Sequence, residues 1–377
     1  MTIPKRIGII IGHPTQFEGP LFQYITRANT VDLEVIYYNS KRMNNVYDPE
    51  LKMDLNWGID LLSGYKYFVV SETKKFLWLK NKFKNGSYDL LIINGYNRLA
   101  LLYAIILGKI YCKSISLRLD TVEFTKKNPF KKFIKKLFYK ILNQIFDHFF
   151  AIGSFTKKFL YSVGIPDHRI SIFSYVVDND FFKNKSKLTE DEKRRLKEKL
   201  NIPENVKVII SVTKFSDREA PWDLLKSFNL IKDSDIHLLL VGDGPEKRKL
   251  EEYASNNLKL HVTFTGYIKY TELPKYYGIS DLFVHTPQSE PWGVSVQEAL
   301  AAGLPVITSE LVGSSVDMIK EGKNGFIYKS QNIPELKEKL LNALTLHKME
   351  VKRMNDIILE NWSYTSTLNS LLNFLNK

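Results

Sequence analysis

The sequence predicts an α/β fold with two doubly wound domains, and three observations lead to this prediction. The chain has 377 residues, which is enough for two domains of ordinary size. Short apolar runs alternate with stretches of helical spacing, as is typical of parallel sheets covered by helices. A highly charged stretch, 183–205, interrupts the alternation, which then resumes. We interpret that stretch as a linker with a short surface helix and expect domains over 1–185 and 186–363.

Strand and helix signals follow one another in order along both domains. In the first domain, apolar runs predict strands at 6–11, 33–38, 90–94, 114–119 and 149–152. Helical spacing there predicts helices at 21–28 and 99–107. In the second domain, the same signals predict strands at 207–212, 237–241, 261–264, 282–285 and 306–308, and helices at 221–230, 246–254 and 294–302.

The composition limits the class of protein. Hydrophobic residues make up 44% of the chain and charged residues 25%, as in globular proteins. The one cysteine, Cys112, excludes an internal disulfide and fits a reducing compartment. The apolar runs are too short for a secretory signal or a membrane span. We therefore expect a cytoplasmic protein.

The net charge of +13 lies entirely in the first half of the chain. Residues 1–185 contain 28 Lys and Arg against 15 Asp and Glu, whereas residues 186–377 contain 26 of each kind. We therefore expect the first half to meet an anionic partner, which could be a lipid surface, an acidic glycan or a nucleic acid.

The segment SEPWGVSVQEALAAGLPVITSE, 289–310, is the most informative part of the sequence. Pro291 and Gly293 place Glu290 in a loop, and the helix that follows places Glu298 in its second turn. Both carboxylates could therefore flank one pocket at a helix N-terminus, where backbone N–H groups favour an anion. Carboxylates accept hydrogen bonds from sugar hydroxyls, so the segment indicates a site for a sugar joined to a diphosphate.

Two further motifs follow predicted strands. Lys214 and Arg218 come after the strand at 207–212, and cations at that edge of a parallel sheet can meet phosphates. Gly242 and Gly244 form a turn in which the backbone can approach a ligand closely. A solvated loop and a simple tight turn are the alternatives. The lack of a G-x-G-x-x-G motif argues against a nicotinamide dinucleotide.

The order of these motifs resembles family 4 (group 1) glycosyltransferases, which are retaining, nucleotide-sugar-dependent enzymes of the GT-B fold. The resemblance covers Val208 to about Phe326, through VTKF, DREAPWDLLKSF, LLLVGDGP, FTGYI, ELPKYYGISDLFV and SEPWGVSVQEALAAGLPVI. The first half is similar, more loosely, to members that build surface polysaccharides. The resemblance implies two Rossmann-like domains that face each other across a cleft, with the last helix, 364–377, returning to the first domain.

The resemblance also implies roles for single residues. Glu298 is expected to bind the ribose and Glu290 the donor sugar, while Lys214 and Arg218 stabilise the leaving diphosphate. Where the family often has Lys-Gly, this chain has Glu219-Ala220, so either Arg218 does the work of that lysine or the phosphate grip rests on Lys214 alone. The remaining donor-binding residues that we expect are Gly12, His13, Gly242, Gly244, Pro291, Trp292, Gly293, Val294 and Ser295.

Arg118 and Asp120 end a predicted strand in the first half. By the resemblance they lie on the acceptor side, where Asp120 could orient the acceptor hydroxyl. An ion pair between the two residues is the alternative. For His13 the alternative is an ordinary turn histidine.

Metals and cofactors are not expected. The triplets 178–180 and 233–235 resemble the DxD metal motif, but both fall in predicted turns, where Asp and Asn are common. We expect no bound metal and no cofactor beyond the nucleotide sugar itself.

A basic stretch at 126–140 contains seven lysines and no acid. Apolar residues recur through it at helical spacing, and we expect the domain core to bury this stripe. Lysines on the other arc could touch anionic lipid, as in a peripheral protein on the inner face of the plasma membrane. No motif supports nucleic acid as the partner. The lysines that we assign to this membrane or acceptor side are Lys131, Lys132, Lys135 and Lys136.

The function that we expect is retaining transfer of a sugar from a nucleoside diphosphate to a hydroxyl of a glycan or a lipid-linked acceptor. Two rival functions stay open. One is a nucleotide-sugar epimerase of similar fold, and the other is a non-catalytic adaptor that binds an anionic membrane or polymer.

Overall fold

Two parallel sheets organise the chain, one in each of two units. The first unit comprises Met1–Val46, Asp60–Val177 and Tyr364–Lys377, and the second comprises Tyr47–Ile59 and Asp178–Ser363. The computed structural model describes residues 4–43, 46–48, 51, 53–55, 57–70, 74–124, 129–231, 235–258 and 261–376.

Parallel strands carry nearly continuous apolar residues because both of their faces are buried. In chain order the strands are β1 (Lys5–Ile11), β2 (Val31–Tyr37), β3 (Val46–Asp48), β4 (Met53–Leu55), β5 (Lys66–Val69), β6 (Leu90–Asn94), β7 (Ile115–Leu119), β8 (His148–Ala151), β9 (Ile170–Ile172), β10 (Lys207–Val212), β11 (Ile236–Val241), β12 (Val262–Gly266), β13 (Leu282–His285), β14 (Val306–Ser309) and β15 (Gly325–Tyr328).

Helices occupy most of the connections between these strands. They are α1 (Glu18–Arg27), α2 (Lys75–Asn85), α3 (Leu99–Tyr111), α4 (Pro129–Ile145), α5 (Ser154–Ser162), α6 (Asn179–Lys185), α7 (Glu190–Lys199), α8 (Pro221–Asn229), α9 (Lys247–Asn257), α10 (Leu273–Gly278), α11 (Val294–Ala301), α12 (Ser315–Met318), α13 (Ile333–Ala343), α14 (Lys348–Asn361) and α15 (Tyr364–Leu375).

Within the described residues, the sheet of the first unit has seven parallel strands in the order β5-β2-β1-β6-β7-β8-β9. The chain moves outward from β1 on one side and from β6 on the other. The topological switch point therefore lies at the carboxyl ends of β1 and β6, which is where open α/β sheets bind ligands.

The sheet of the second unit is built in the same way. Its described part has six parallel strands in the order β12-β11-β10-β13-β14-β15. The switch point lies at the carboxyl ends of β10 and β13. Each unit is thus doubly wound, which confirms the predicted α/β fold class.

Helices cover both faces of the first sheet. One hydrophobic core contains buried residues of α2, α3, α4 and α5, and a second core contains those of α1 and α15. Leu368 and Leu371 of α15 are buried in the second core, so the end of the chain completes the first unit.

Helix α4 corrects one prediction. The expected burial of its apolar stripe is wrong, because Phe130, Phe133 and Leu137 are all exposed. The face that α4 turns to the core carries Tyr139 and Leu142 instead. Helical spacing alone identifies an apolar stripe but not the side that faces the sheet. None of the described helices has both the length and the apolarity that crossing a bilayer needs.

For other elements, the sequence pattern predicted the correct position in the chain. The strands at 90–94, 207–212 and 282–285 have the predicted bounds. The charged stretch predicted as a linker carries α7, which begins with a capping box between Thr189 and Glu192 and belongs to the second unit.

Candidate functional site

Two loops meet at the switch point of the second sheet. One follows β10 and contains a 3-10 turn, Asp217–Glu219, and the other follows β13 and leads into α11. The backbone N–H of Gln288 in the second loop donates to the carbonyl oxygen of Arg218 in the first, at 2.8 Å. Charged side chains from distant parts of the sequence therefore converge at this edge of the sheet.

Arg218 lies between two acidic side chains. Its Nη1 donates to Glu290 Oε2 at 3.1 Å and to the carbonyl oxygen of Ser289 at 3.2 Å. Its Nη2 lies 2.5 Å from Oε1 of Glu219. The fold thus brings together Arg218 and Glu290, two of the residues that the sequence analysis singled out. The Arg218 guanidinium, which can bind a phosphate, is therefore in contact with the Glu290 carboxylate, which can accept hydrogen bonds from hydroxyl groups.

Glu219 is the buried acid of this cluster. Its carboxylate accepts a hydrogen bond from Thr213 Oγ1 at 3.2 Å. Burial and the nearby charge of Glu290 raise the pKa of Glu219 to about 7. The next residue, Ala220, has a left-handed backbone with φ of 46°, which is uncommon for a residue with a Cβ. Thr286 Oγ1 donates to the carbonyl oxygens of Glu219 and Ala220 and so helps to hold this turn.

His285 completes the cluster at the end of β13. It is 4% exposed, and neither ring nitrogen finds a hydrogen-bond partner in the part of the chain that the structure describes. Burial lowers the pKa of His285 to about 4, so the ring is neutral at pH 7. Ligand atoms of His285, Glu219 and Glu290 lie within 4.8 Å of one another, a grouping that could hold a metal ion. Arg218 already forms ion pairs with both carboxylates.

Lys214, the second predicted cation, has an acidic partner. Its Nζ lies 2.6 Å from Oδ2 of Asp48, which belongs to the early segment included in the second unit. The charge of Lys214 also lowers the pKa of Glu219, against the larger effect of burial. The predicted cation is thus close to the Glu219 carboxylate, although its direct ion pair is with Asp48.

Gly242 and Gly244 lie in the turn between β11 and α9, and both have positive φ angles. A Cβ on Gly242 would lie 1.8 Å from the carbonyl oxygen of Thr213, and one on Gly244 would lie 2.5 Å from that of Phe215. Glycine is therefore required here because the turn packs against the backbone that carries Lys214. This close packing supports the alternative of a structural turn at least as well as direct contact with a ligand.

The loop after Glu290 is held from two sides. The Glu290 backbone N–H donates to Leu311 at 2.9 Å, and a Cβ on Gly313 would lie 1.8 Å from the carbonyl oxygen of Pro291. Trp292 is buried, and its ring centroid lies 4.9 Å from that of Trp362. The loop is therefore a packed element of the second unit.

Gly293 precedes α11 and has a left-handed backbone, with φ of 88°. Val294 and Ser295 form the first helical turn and are half-buried. Glu298, one turn further on, is 3% exposed and accepts a hydrogen bond from Tyr277 at 2.9 Å. Burial raises the pKa of Glu298 to about 7. The carboxylate predicted to bind ribose is thus placed by α11 and held by a buried tyrosine.

In the first unit, Arg118 forms its ion pair with Glu18, so the alternative of an ion pair between Arg118 and Asp120 is wrong. Arg118 is 2% exposed and donates to Glu18 Oε1 at 2.7 Å, because α1 places that glutamate beneath β7. Arg118 also donates to the carbonyl oxygens of Phe173 and Ser174, both at 3.0 Å. These contacts hold its side chain in place, and Arg118 also lines the cavity that contains Asp120.

Asp120 is exposed, and Tyr175 donates to it at 3.4 Å. Asp120 lines a cavity of about 290 Å³ at the carboxyl ends of β6 and β7, together with Asn94 and Thr121. At the neighbouring end of β1, His13 has its pKa lowered to about 4 by burial and by the charge of Arg42. Gly12 lies there too, and a Cβ on it would meet Tyr38 at an ordinary 3.5 Å.

Of the predicted lipid-facing lysines, Lys131, Lys132 and Lys136 are exposed. Lys135 lies nearer the core, with its Nζ 3.7 Å from Glu123 and 4.1 Å from the centre of the Phe159 ring.

The two DxD-like triplets have different outcomes. Asp178 accepts a hydrogen bond from the backbone N–H of Phe181 at 2.9 Å and so caps α6. In the triplet 233–235, Asp233 and Ser234 lie outside the described residues.

Sequence patterns missed several residues near the site. Asp48 and His285 carry no motif, and Tyr277 lies in the segment ELPKYYGISDLFV without a role being assigned to it; each gains its position only through tertiary packing. For His285 one signal was present, since it ends a buried strand directly before the Glu290 loop.

A protein-family model matches most of the second unit. Residues 192–357 match the family model of glycosyl transferases group 1, which confirms the resemblance over that segment. The chain is 30% identical over 149 residues to the alpha-monoglucosyldiacylglycerol synthase of Acholeplasma laidlawii. That alignment covers 38% of this chain and 37% of the synthase, so the chain spans little more than a third of that relative's length.

Solved structures match the chain over nearly its full length. A glycosyltransferase from Rickettsia africae ESF-5 superposes with a TM-score of 0.74 at 16% identity, covering 99% of this chain and 98% of that one. Anabaena Alr3699/HepE, solved in complex with UDP and glucose, superposes with a TM-score of 0.72 at 14% identity, covering 99% of both chains. These similarities establish the fold, which is the GT-B fold that the sequence predicted.

Proposed function

We propose that this chain, whose residues 192–357 match the family model of glycosyl transferases group 1, moves a sugar from a nucleoside diphosphate to a hydroxyl of a glycan or lipid-linked acceptor. The product would be a cell-surface polysaccharide or glycolipid. One observation carries the proposal: the Arg218 guanidinium and the Glu290 carboxylate touch at the switch point of the second sheet. The fold shared with a protein solved with UDP and glucose supports it.

The donor would bind with its diphosphate towards Arg218 and Lys214. As the bond to the sugar breaks, negative charge grows on the diphosphate, and prearranged cations stabilise that charge. Glu219 stands where the family often has lysine, so Arg218 takes over that role, and Glu219 orients it through their ion pair. Glu290 would hold the sugar hydroxyls, and Glu298 the ribose.

We propose that the sugar keeps its anomeric configuration and that no metal takes part. The acceptor hydroxyl would attack from the face that the diphosphate leaves, and the leaving phosphate would take its proton. Arg218 supplies positive charge between the two carboxylates of the cluster, and this supports metal-independent charge stabilisation. No cofactor beyond the nucleotide sugar is required by this chemistry.

The first unit would bind the acceptor. Asp120, in the cavity at the ends of β6 and β7, is the residue that we propose to orient the acceptor hydroxyl. We also propose an anionic membrane surface as a partner, because it fits the exposed lysines of α4, and we propose no nucleic-acid partner because the sequence has no nucleic-acid-binding motif. The protein would then work in the cytoplasm, at the inner face of the plasma membrane.

The experiment begins with the donor. Thermal-shift screening against UDP-, GDP-, ADP- and dTDP-sugars identifies the stabilising donor, and transfer is then followed by NMR, which also reports the anomeric configuration. We expect transfer with retention, both with and without EDTA. Glu298→Gln, Lys214→Ala and Arg218→Ala should each lower turnover by about 100-fold or more, because each removes a contact to the donor. Lys199→Ala, on the exposed surface of α7, is the matched control.

Other outcomes would decide against the proposal. Epimerised donor without any acceptor would indicate an epimerase, and failure of every nucleotide sugar to bind would indicate an adaptor. Wild-type turnover in the three site variants, with their fold intact by circular dichroism, would reject the residue assignment.

A further inference from the structure

Helix α3 exposes a row of apolar side chains. Leu99, Leu102, Ile106 and Ile110 repeat at helical spacing on its outer side, and Leu99 is 75% exposed. The opposite side of the helix is buried in the first core. A helix that is apolar all round is normally covered on every side, by protein or by lipid.

Helix α4 repeats this arrangement. Its outer side carries Phe130, Phe133, Ile134, Leu137 and Ile141, and Phe130 is 69% exposed. Soluble monomers rarely leave large contiguous apolar patches open to water, so an exposed row on each of two helices indicates a binding surface.

The two helices and α2 cover the same side of the first sheet. All three contribute to one core. Tyr96, just before α3, contacts Phe138 of α4 in a tilted arrangement with ring centroids 5.2 Å apart, and Phe76 of α2 meets Tyr103 of α3 edge to face at 5.1 Å. We call the outer rows of α3 and α4, with Phe76 and Leu77 of α2, the apolar face.

The charges around the apolar face have one sign. The helices α2, α3 and α4 contain ten lysines and no Asp or Glu. Exposed lysines beside exposed apolar side chains match an anionic lipid leaflet, where the ammonium groups meet headgroups and the apolar groups enter the acyl region. A second copy of this chain would bring lysines against lysines, which disfavours self-association through this face.

A cavity of about 650 Å³ opens at the edge of the apolar face. Its lining includes three cations, Arg42, Lys75 and Arg98, and also Phe76 and Leu99 of the apolar face itself. Its described lining contains no acidic residue, and neither arginine forms an ion pair with any described residue. Guanidinium groups bind phosphate with paired hydrogen bonds, so the cavity suits a phosphate-bearing group.

We propose that the apolar face enters one leaflet of a membrane and that the cavity binds the phosphate headgroup of a lipid whose chains lie along that face. The inference goes beyond the proposed function, because it adds apolar insertion and a lipid-phosphate site to the lysine contact proposed above, and it requires no nucleotide sugar.

The test measures flotation of the full chain with vesicles, in the absence of any donor. Phosphatidylcholine vesicles are compared with vesicles that also contain phosphatidic acid, whose headgroup is a phosphate monoester. The wild type should float with both kinds and bind the phosphatidic acid vesicles at least about tenfold more tightly, because three cations meet the phosphate.

Variants separate the two parts of the proposal. Leu102→Ser with Ile106→Ser, or Phe133→Ser with Leu137→Ser, should weaken binding to both kinds of vesicle by about tenfold or more, since apolar insertion is lost. Arg42→Ala with Arg98→Ala should lower the preference for phosphatidic acid to the part that the lysines supply, and leave binding to phosphatidylcholine unchanged. The matched control is Leu230→Ser with Leu341→Ser, two exposed leucines of the second unit.

A further variant tests membrane insertion without replacing an apolar side chain by a polar one. Phe133→Trp keeps the apolar character, and its fluorescence should shift to the blue when phosphatidic acid vesicles are added. Absence of that shift, or wild-type flotation in the serine variants, would overturn the proposal. So would a wild type that dimerises in sedimentation, fails to float, and becomes monomeric when the apolar face carries serine.

Discussion

At the scale of single residues, the site depends on charges that the sequence could only partly assign. The sequence pointed to Arg218 and Glu290 because both follow strands at one edge of a parallel sheet, and they are in contact. Asp48, the partner of Lys214, could not be found in this way, because it lies far away in sequence and carries no motif. The ion pair of Arg118 with Glu18 could not be predicted, because a strand end does not reveal which helix supplies its acidic partner.

Glu298 gives the prediction at this scale. Its pKa, about 7, lies above the ordinary value of 4.5, so the stability that it contributes is present below about pH 4.5 and is lost as the pH rises through 7. The free energy of unfolding of the wild type should therefore fall by about 3 kcal/mol between pH 4.5 and pH 8, and Glu298→Gln should not show this fall. Urea unfolding across that range measures it, with the exposed Glu252→Gln as control. Parallel pH profiles for the wild type and Glu298→Gln would contradict the assigned burial.

At the scale of elements, apolar patterns predicted the positions of the buried strands, but they did not predict which side of a helix faces the core. The buried strands of both sheets were predicted because runs of Val, Ile and Leu are needed on both faces of a parallel sheet. The short edge strands β5 and β9 were missed because they carry little of that signal. The outward stripe of α4 was assigned to the core because spacing identifies a stripe but not the side it faces.

The loop between β13 and α11 gives the prediction at this scale. A Cβ on Gly313 would lie 1.8 Å from the carbonyl oxygen of Pro291, so Gly313→Ala must displace the segment that carries Glu290. We expect a loss of about 1–3 kcal/mol in the free energy of unfolding, together with weaker donor binding.

Gly303→Ala is the control for that variant, because Gly303 has a positive φ and nothing within 4 Å of the added Cβ. It should lose stability through backbone strain but keep donor affinity, as urea unfolding and calorimetric titration would show. Equal donor affinity in both variants would show that the packing of Gly313 does not position the site.

At the scale of the whole molecule, the sequence indicated two α/β units but not how the chain is shared between them. The first unit is completed by α15 from the far end of the chain, and the second takes in Tyr47–Ile59. Contacts so distant in sequence leave no local pattern, so only the resemblance to a known family suggested the returning helix.

Removing α15 tests whether this helix stabilises the first unit. A chain that ends at Ser363 loses Leu368 and Leu371 from the core beside α1, which should cost the first unit about 3 kcal/mol or more. Hydrogen exchange should then lose protection in β1 and β2 and keep it in β10 and β11. The single substitution Leu371→Ala should show the same pattern more weakly. Uniform loss of protection in both sheets would mean that the two units unfold together.

The close pair of indoles, Trp292 and Trp362, has an optical consequence. Two indoles with ring centroids 4.9 Å apart couple their electronic transitions, and the coupling depends steeply on their mutual angle. Trp292 directly follows the Glu290 and Pro291 segment, so any ligand that shifts this loop changes a circular dichroism band in the near ultraviolet. The chain therefore carries a spectroscopic label of its own for events at the proposed donor site.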